Sequence, residues 1–167
     1  MTLIDRQKAE VYERQAYPGS LRARTNGCVK TKLSDAAGLT QIGCGEVTLA
    51  PGSATGLYHW HETEDEFVYI LEGEVVLIDD GVEHHLRAGD SAGFKAGDGR
   101  PHTFENRGDK PARLIEVGWR NPAGETAHYP GYDLIYRRSA EGVRFEDAAG
   151  EIYSDTDEVS ATESENR

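Results

Sequence analysis

Residues 56–74 read GLYHWHETEDEFVYILEGE. Successive side chains of a strand point to opposite faces, so residues two apart share a face. On that rule His59 and His61 lie together, with Tyr58 and Trp60 on the other side. The acidic run Glu62–Asp65 reads as a turn, after which Glu66–Leu71 returns antiparallel. Glu66, Val68 and Ile70 have one parity; Phe67, Tyr69 and Leu71 have the other. If the Val68/Ile70 face packs the core, Glu66 stands beside the two histidines, inside the fold. Glu64 and Asp65 are competitors for that carboxylate role, but a turn would leave them solvated.

The surrounding sequence has the same grain. Short apolar runs are predicted as strands near 29–33, 42–49, 57–61, 66–71, 74–79, 82–86, 92–95, 102–106, 113–119, 134–137 and 144–147. Turn clusters such as Ala50-Pro51-Gly52, Ala88-Gly89-Asp90 and Arg107-Gly108-Asp109 separate them. Asp80-Gly81 between two β runs marks a hairpin, because both central residues of a type I′ turn need positive φ. Many short strands at this spacing imply an all-β sandwich or barrel. Residues 3–16 carry a weak helical pattern that Pro18-Gly19 ends. The expected organisation is an N-terminal helix or arm (1–34), a β-barrel domain (35–154) and a disordered acidic tail (155–167). In that tail Asp155, Asp157, Glu158, Glu163 and Glu165 outnumber Arg167, and Val159 is the one large aliphatic residue.

Composition excludes several functions. The formal net charge of -12 argues against nucleic acid or an anionic membrane as partner. No run approaches membrane-spanning length and the N-terminus lacks an apolar signal core, so a soluble cytoplasmic protein is the simplest expectation. Cys28 and Cys44 form no disulfide or zinc-finger spacing and read as buried inert thiols. No nucleophile elbow, phosphate-binding loop or dinucleotide fingerprint is present.

A third strand is placed to complete a site. In GRPHTFEN, residues 99–106, His102, Phe104 and Asn106 share a face. Three imidazoles and a carboxylate (His59, His61, Glu66 and His102) suit Fe, Mn, Ni, Co or Zn as a divalent ion, and suit Ca or Mg poorly. An octahedral ion would keep two positions for water or substrate.

These residues resemble the two motifs of the cupins. The first runs G, five residues, HxH, three or four residues, E, six residues, G. Here His59-Trp60-His61, four residues, Glu66, six residues and Gly73 follow it, with Gly52 one residue further from His59. The second runs G, five residues, PxG, two residues, H, three residues, N. Gly89, Lys95-Ala96-Gly97, His102 and Asn106 are similar, with Lys95 in place of proline and a loop two residues longer. The resemblance covers about residues 40–120. It implies a double-stranded β-helix, a jelly-roll barrel, holding an ion by His59, His61, Glu66 and His102.

The remaining residues read more plainly. His84 and His85 point to opposite faces of a hairpin strand and serve the surface. His128, in ETAHYPGYDL, wraps the sheet or covers the barrel mouth. Trp119 and Phe104 pack the core. The stripe Phe67, Tyr69 and Leu71 needs covering, which suggests a homodimer. Two function classes follow. A metal enzyme would act on a small hydroxy-carbonyl or sugar-like metabolite as isomerase, epimerase or lyase, or with Fe(II) as a dioxygenase; a non-catalytic cupin would simply bind a small ligand. Glu116 is a candidate base if it faces inward.

Overall fold

The computed structural model describes residues 3–162. Among them are strands β1 (Val11–Glu13), β2 (Cys28–Lys32), β3 (Ile42–Leu49), β4 (Trp60–His61), β5 (Glu66–Glu72), β6 (Glu74–Asp79) and β7 (Val82–Arg87). They continue with β8 (Ser91–Phe94), β9 (His102–Glu105), β10 (Ala112–Trp119), β11 (Glu125–His128), β12 (Ile135–Ser139) and β13 (Gly142–Glu146). One sheet has the order β1-β2-β3-β10-β5-β8. Opposite it lie β7-β6-β9 and β13-β12-β11-β4. The bridges Ala54↔Glu105 and His59↔His102 carry β9 into the strand that ends as β4, so the two smaller sheets form one layer. Among the described residues the paired strands are all antiparallel. This is the jelly-roll barrel that the cupin resemblance implies, within the all-β class expected from the strand spacing.

Alternation along the strands decides what fills the barrel. Val47 and Leu49 on β3, Val68 and Ile70 on β5, Val75 and Leu77 on β6, Phe104 on β9, and Ala112 and Leu114 on β10 form the main core. Each large aliphatic side chain buried there contributes about 1.5–3 kcal/mol. A second cluster, Tyr17, Leu21, Leu57, Ala127, Tyr129 and Leu134, joins the N-terminal arm to β11 and the loop after it. Two turns show why the chain changes direction where it does. Asp80 and Gly81 have φ of 49° and 78°, the paired positive values of the type I′ turn. Gly73 passes the chain from β5 to β6 with φ 79°, and a Cβ there would lie 3.0 Å from the Ala112 Cα. Neither the angle nor the space admits a larger residue.

Several expectations are corrected. Residues 3–16 are no helix: they give one 3₁₀ turn, Arg6–Lys8, and then β1, whose Val11, Tyr12 and Glu13 pair with Thr31, Lys30 and Val29. Their amphipathic pattern was weak, and β2 offered an open edge. Strand β11 was not among the expected strands; it pairs with both β12 and β4. Trp119 is 46 % exposed and does not pack the core, whereas Phe104 does. Cys28 is fully buried as expected, and Cys44 only partly.

The acidic tail was expected to be disordered, yet residues 155–162 lie along the arm and the loop at 129–133. Gly19 N donates to Asp155 O at 3.1 Å, Asp133 N to Ser160 O at 2.9 Å, and Thr162 N to Gly131 O at 3.1 Å. Ser20 Oγ donates to the Glu158 carboxylate at 2.5 Å, and Val159 packs on the second cluster. The rest of the tail, residues 163–167, lies outside the described residues. Deleting residues 155–167 should therefore lower stability by about 1–2 kcal/mol and the melting temperature by roughly 3–6 °C. Calorimetry that finds the two melting curves superimposed would show that these contacts add nothing.

Candidate metal and ligand site

The inner face of the large sheet changes character along its length. Toward one end it presents Leu49, Ile70, Ala112 and Leu114, all buried. Toward the other, the same parity presents Glu66 on β5, Glu116 and Gly118 on β10, and Gly43 and Gly45 on β3. The histidines face this polar end from the opposite layer. A cavity of about 300 Å³ opens there, with His59, His61, Glu66, Glu116, Arg14 and Lys30 among its walls.

The four sequence-predicted residues come together. His59, His61 and Glu66 each offer a ligand atom within 4.8 Å of the others. His102 reaches the group through Glu66, its Nε2 donating to Oε2 at 3.0 Å, and is not a member of that 4.8 Å set. His61 Nε2 lies 3.8 Å from the same Oε2. The rings are wedged in place: His59 stacks on Tyr129 at 5.6 Å between centroids, and His102 on Phe94 at 3.5 Å. The pairing His59↔His102 sets the two imidazoles 5.0 Å apart. Trp60, on the opposite face, stacks on His128.

Hydrogen bonds set the protonation of these groups. His59 Nδ1 lies 2.6 Å from Leu57 O. A carbonyl only accepts, so Nδ1 carries the proton and Nε2 keeps its lone pair toward the cluster. Burial, with His61 and His102 nearby, lowers the His59 pKa to about 3, so the ring stays neutral. Burial also disfavours a charged His61, but Glu125 and Glu66 on either side outweigh it and raise its pKa. Burial likewise works against a Glu66 anion, and the surrounding histidines, His102 first, pull its pKa well down. Nδ1 of His102 and of His61 are buried without a hydrogen-bond partner among the described residues; Glu125 Oε1 lies 3.6 Å from the latter.

Glu125 was not singled out from the sequence. It is buried and accepts from the backbone of Glu62 at 2.9 Å and of Thr63 at 3.3 Å, and from the Thr63 hydroxyl. With Glu64 and His61 it forms a second group of ligand-type atoms within 4.8 Å. A carboxylate fixed behind a histidine is the usual device for orienting a ligating imidazole. Its only sequence signal was a position in the segment beside His128.

The competing carboxylates have other partners. Glu64 is no solvated turn residue: it accepts from Asn121 N at 3.0 Å and pairs with Arg138. Asp65 accepts from Ala96 N at 2.8 Å. Glu116 does face inward, but Arg14 Nη2 and Lys30 Nζ both donate to its Oε2 at 2.7 Å. Burial opposes its charge; the two cations prevail and lower its pKa, which makes it a weak proton acceptor. His84 and His85 are exposed, away from the cluster.

Fold and site together define the class: a small antiparallel barrel with imidazoles and a carboxylate gathered inside one end. The Cupin domain family model matches residues 45–118. A structure described as a sugar phosphate isomerase from a cupin superfamily, from Silicibacter pomeroyi DSS-3, superposes with a TM-score of 0.86. It is 40 % identical, over 92 % of this chain and 97 % of that one. The tetracenomycin polyketide synthase protein TcmJ of Streptomyces glaucescens is 33 % identical over 107 residues, 63 % of this chain and 70 % of that protein. An oxalate-binding protein of Thermotoga maritima is 41 % identical over 69 residues, 41 % of this chain; the match spans 54 % of that relative's length. The chain belongs to the cupin family.

The His59 geometry can be checked directly. In chelator-treated protein, long-range ¹H–¹⁵N spectra should show His59 as the Nδ1–H tautomer, neutral from about pH 8 down to about pH 5. A titration near the ordinary histidine pKa of about 6.5 would contradict the Leu57 contact and the burial.

Proposed function

We propose that this cupin binds one divalent transition ion per chain through His59, His61, Glu66 and His102, and uses it on a small oxygen-rich metabolite. The reaction class we favour is isomerisation, epimerisation or elimination of a hydroxy-carbonyl or sugar-like compound. The observation that carries the reading is the His59–Leu57 hydrogen bond, which leaves an unprotonated Nε2 aimed at a carboxylate and two further imidazoles. Mixed nitrogen and oxygen donors of this kind suit Fe, Mn, Ni, Co or Zn. Such an ion, when bound, supplies Lewis acidity toward a carbonyl or hydroxyl oxygen.

The chain's own residues do the rest. Glu66 brings the negative charge that a buried cation needs, and the Glu125 carboxylate faces the other nitrogen of His61 at 3.6 Å. Phe94 and Tyr129 press on the His102 and His59 rings and keep them from rotating. Tyr17, Tyr129 and Phe145 give the cavity an apolar wall that limits water. Sugar phosphate and oxalate, named for two of the relatives, are both small oxygen-rich molecules; that supports the substrate class and not a particular compound.

We also propose that a second copy of the chain covers the outer face of the large sheet. Phe67, Tyr69 and Leu71 stand 44, 39 and 38 % exposed there. They abut Val117 and Ile115 in register, with Ile42 and Trp119 beyond. A continuous apolar strip on a sheet face fits a self-complementary two-fold contact. Light scattering should give twice the 18.4 kDa chain mass, and Phe67→Glu should give the monomer. A wild-type chain that stays monomeric at high concentration would end this proposal.

Metal content tests the main reading. Tag-free protein should contain close to one transition ion per chain by elemental analysis, and His59→Ala or His102→Ala should lose most of it. Glu66→Gln should weaken Mn(II) or Ni(II) binding tenfold or more, and Glu125→Gln by a similar order through His61. Glu64→Gln should leave affinity nearly unchanged, its role being to pair with Arg138. Full occupancy in His59→Ala, or a larger loss in Glu64→Gln than in Glu66→Gln, would overturn the ligand set.

A further inference from the structure

We propose that Arg14 and Lys30 form an oxyanion subsite beside the histidine cluster, so that the ligand of this cavity carries a carboxylate or phosphate group. The inference rests on the reading of the cavity as the ligand site, and adds the charge class of what enters it.

The two cations come from outside the matched cupin segment. Arg14 follows β1 in the N-terminal arm and Lys30 lies on β2. The arm is fixed at this point. Arg14 N donates to Cys28 O at 2.8 Å, and the Thr25 hydroxyl donates to Arg14 O at 2.5 Å. Further on, the Tyr17 hydroxyl accepts from Leu57 N at 3.1 Å. Arg14 Nη1 donates to Thr55 O at 2.5 Å, which aims the guanidinium across the cavity. Lys30 crosses β3 where there is no side chain to obstruct it: a Cβ on Gly45 would lie 2.5 Å from the Lys30 Cε. The glycine lets the lysine stem lie flat and deliver its ammonium to the cavity.

Two cations share one acceptor there. Arg14 and Lys30 meet at a single oxygen of Glu116, while the other carboxylates of the cavity, Glu66 and Glu64, are engaged by His102 and Arg138. Both side chains are only about one-fifth exposed, at 20 and 22 %. Two like charges held close in a part-buried site repel each other, and a second anion relieves that strain. Hydrogen-bonding capacity is also left over. An ammonium has three donors, and Lys30 Nζ gives one to Glu116 and none to any other described residue. Glu116 Oε1 accepts from none of the described residues, which leaves it able to receive a hydroxyl from the ligand. An oxyanion on Lys30 and Arg14 with a neighbouring hydroxyl on Glu116 would lie alongside His59, His61 and Glu66, which line the same cavity.

Binding to chelator-treated protein separates this inference from the metal reading. Inorganic phosphate and malonate serve as probes for the two kinds of oxyanion, with erythritol as the neutral control, followed by calorimetry or ligand-observed NMR. Wild-type protein should bind at least one of the anions and bind erythritol more weakly, with affinity falling as salt rises. Lys30→Met keeps the stem and removes the charge, and should weaken the anion at least tenfold; Lys30→Arg should stay within about threefold. The same tenfold loss in a His59→Ala background would show that the subsite stands even if the metal assignment fails. Anion binding in Lys30→Met within twofold of wild type, or erythritol bound as well as either anion, would overturn the proposal. Which of phosphate and malonate binds tighter identifies the oxyanion.

Discussion

The inner face of the β3–β10–β5 sheet has to serve two incompatible solvents. A strand cannot change which face a residue occupies without losing register, so polar and apolar groups can only be segregated along its length. Here they are. β3 runs inward through Gly43, Gly45, Val47 and Leu49, β10 through Gly118, Glu116, Leu114 and Ala112, and β5 through Glu66, Val68 and Ile70. One end is dry core. The other is cleared by glycines and furnished with carboxylates, and the histidines of the facing layer meet it. Each charged group at that end has a partner, because an unpaired buried charge would cost several kcal/mol.

The family-matched strands build the cluster, but the flanking segments close it. Tyr17 from the arm, Tyr129 after β11 and Phe145 on β13 pack against one another at 5.5 to 6.2 Å between ring centroids. The tail reaches the same aromatic group through Val159. Residues separated by more than a hundred positions thus form one cavity wall, and Tyr129 passes its packing on to His59. The division of labour is physical. The barrel fixes the positions of the histidines and Glu66 by register, while the flanking aromatics line the cavity beside them.

What was legible in the sequence is what strand parity and turn chemistry encode locally. The bounds of β3 and β6, the Asp80-Gly81 turn, the inward set Glu66, Val68 and Ile70, and the outward set Phe67, Tyr69 and Leu71 all follow from short-range rules. Gathering His102 with them needed the two-motif spacing. What was not legible depends on distant partners. β1 exists because β2 offers its edge, and β11 because β4 and β12 flank it. Residues 155–162 are seated by backbone hydrogen bonds and by Ser20 and Arg22 of the distant arm, which composition does not register. Glu64 looked solvated because Arg138, seventy-four positions away, is invisible from the turn.

Glu116 shows how such a distant partner changes a chemical role. Its parity alone makes it a credible base: an inward carboxylate one strand away from Glu66, in register with Val68. A proton acceptor, however, must gain stability on protonation, and Glu116 would lose two charge-assisted hydrogen bonds to Arg14 and Lys30. Held that way, the carboxylate is better suited to anchoring than to proton transfer. It ties the arm and β2 to the centre of the barrel wall and fixes two cations beside the histidines. A ligand anion that drew either cation away would loosen that hold and raise the proton affinity of Glu116. Its capacity as a base is therefore conditional on what occupies the cavity.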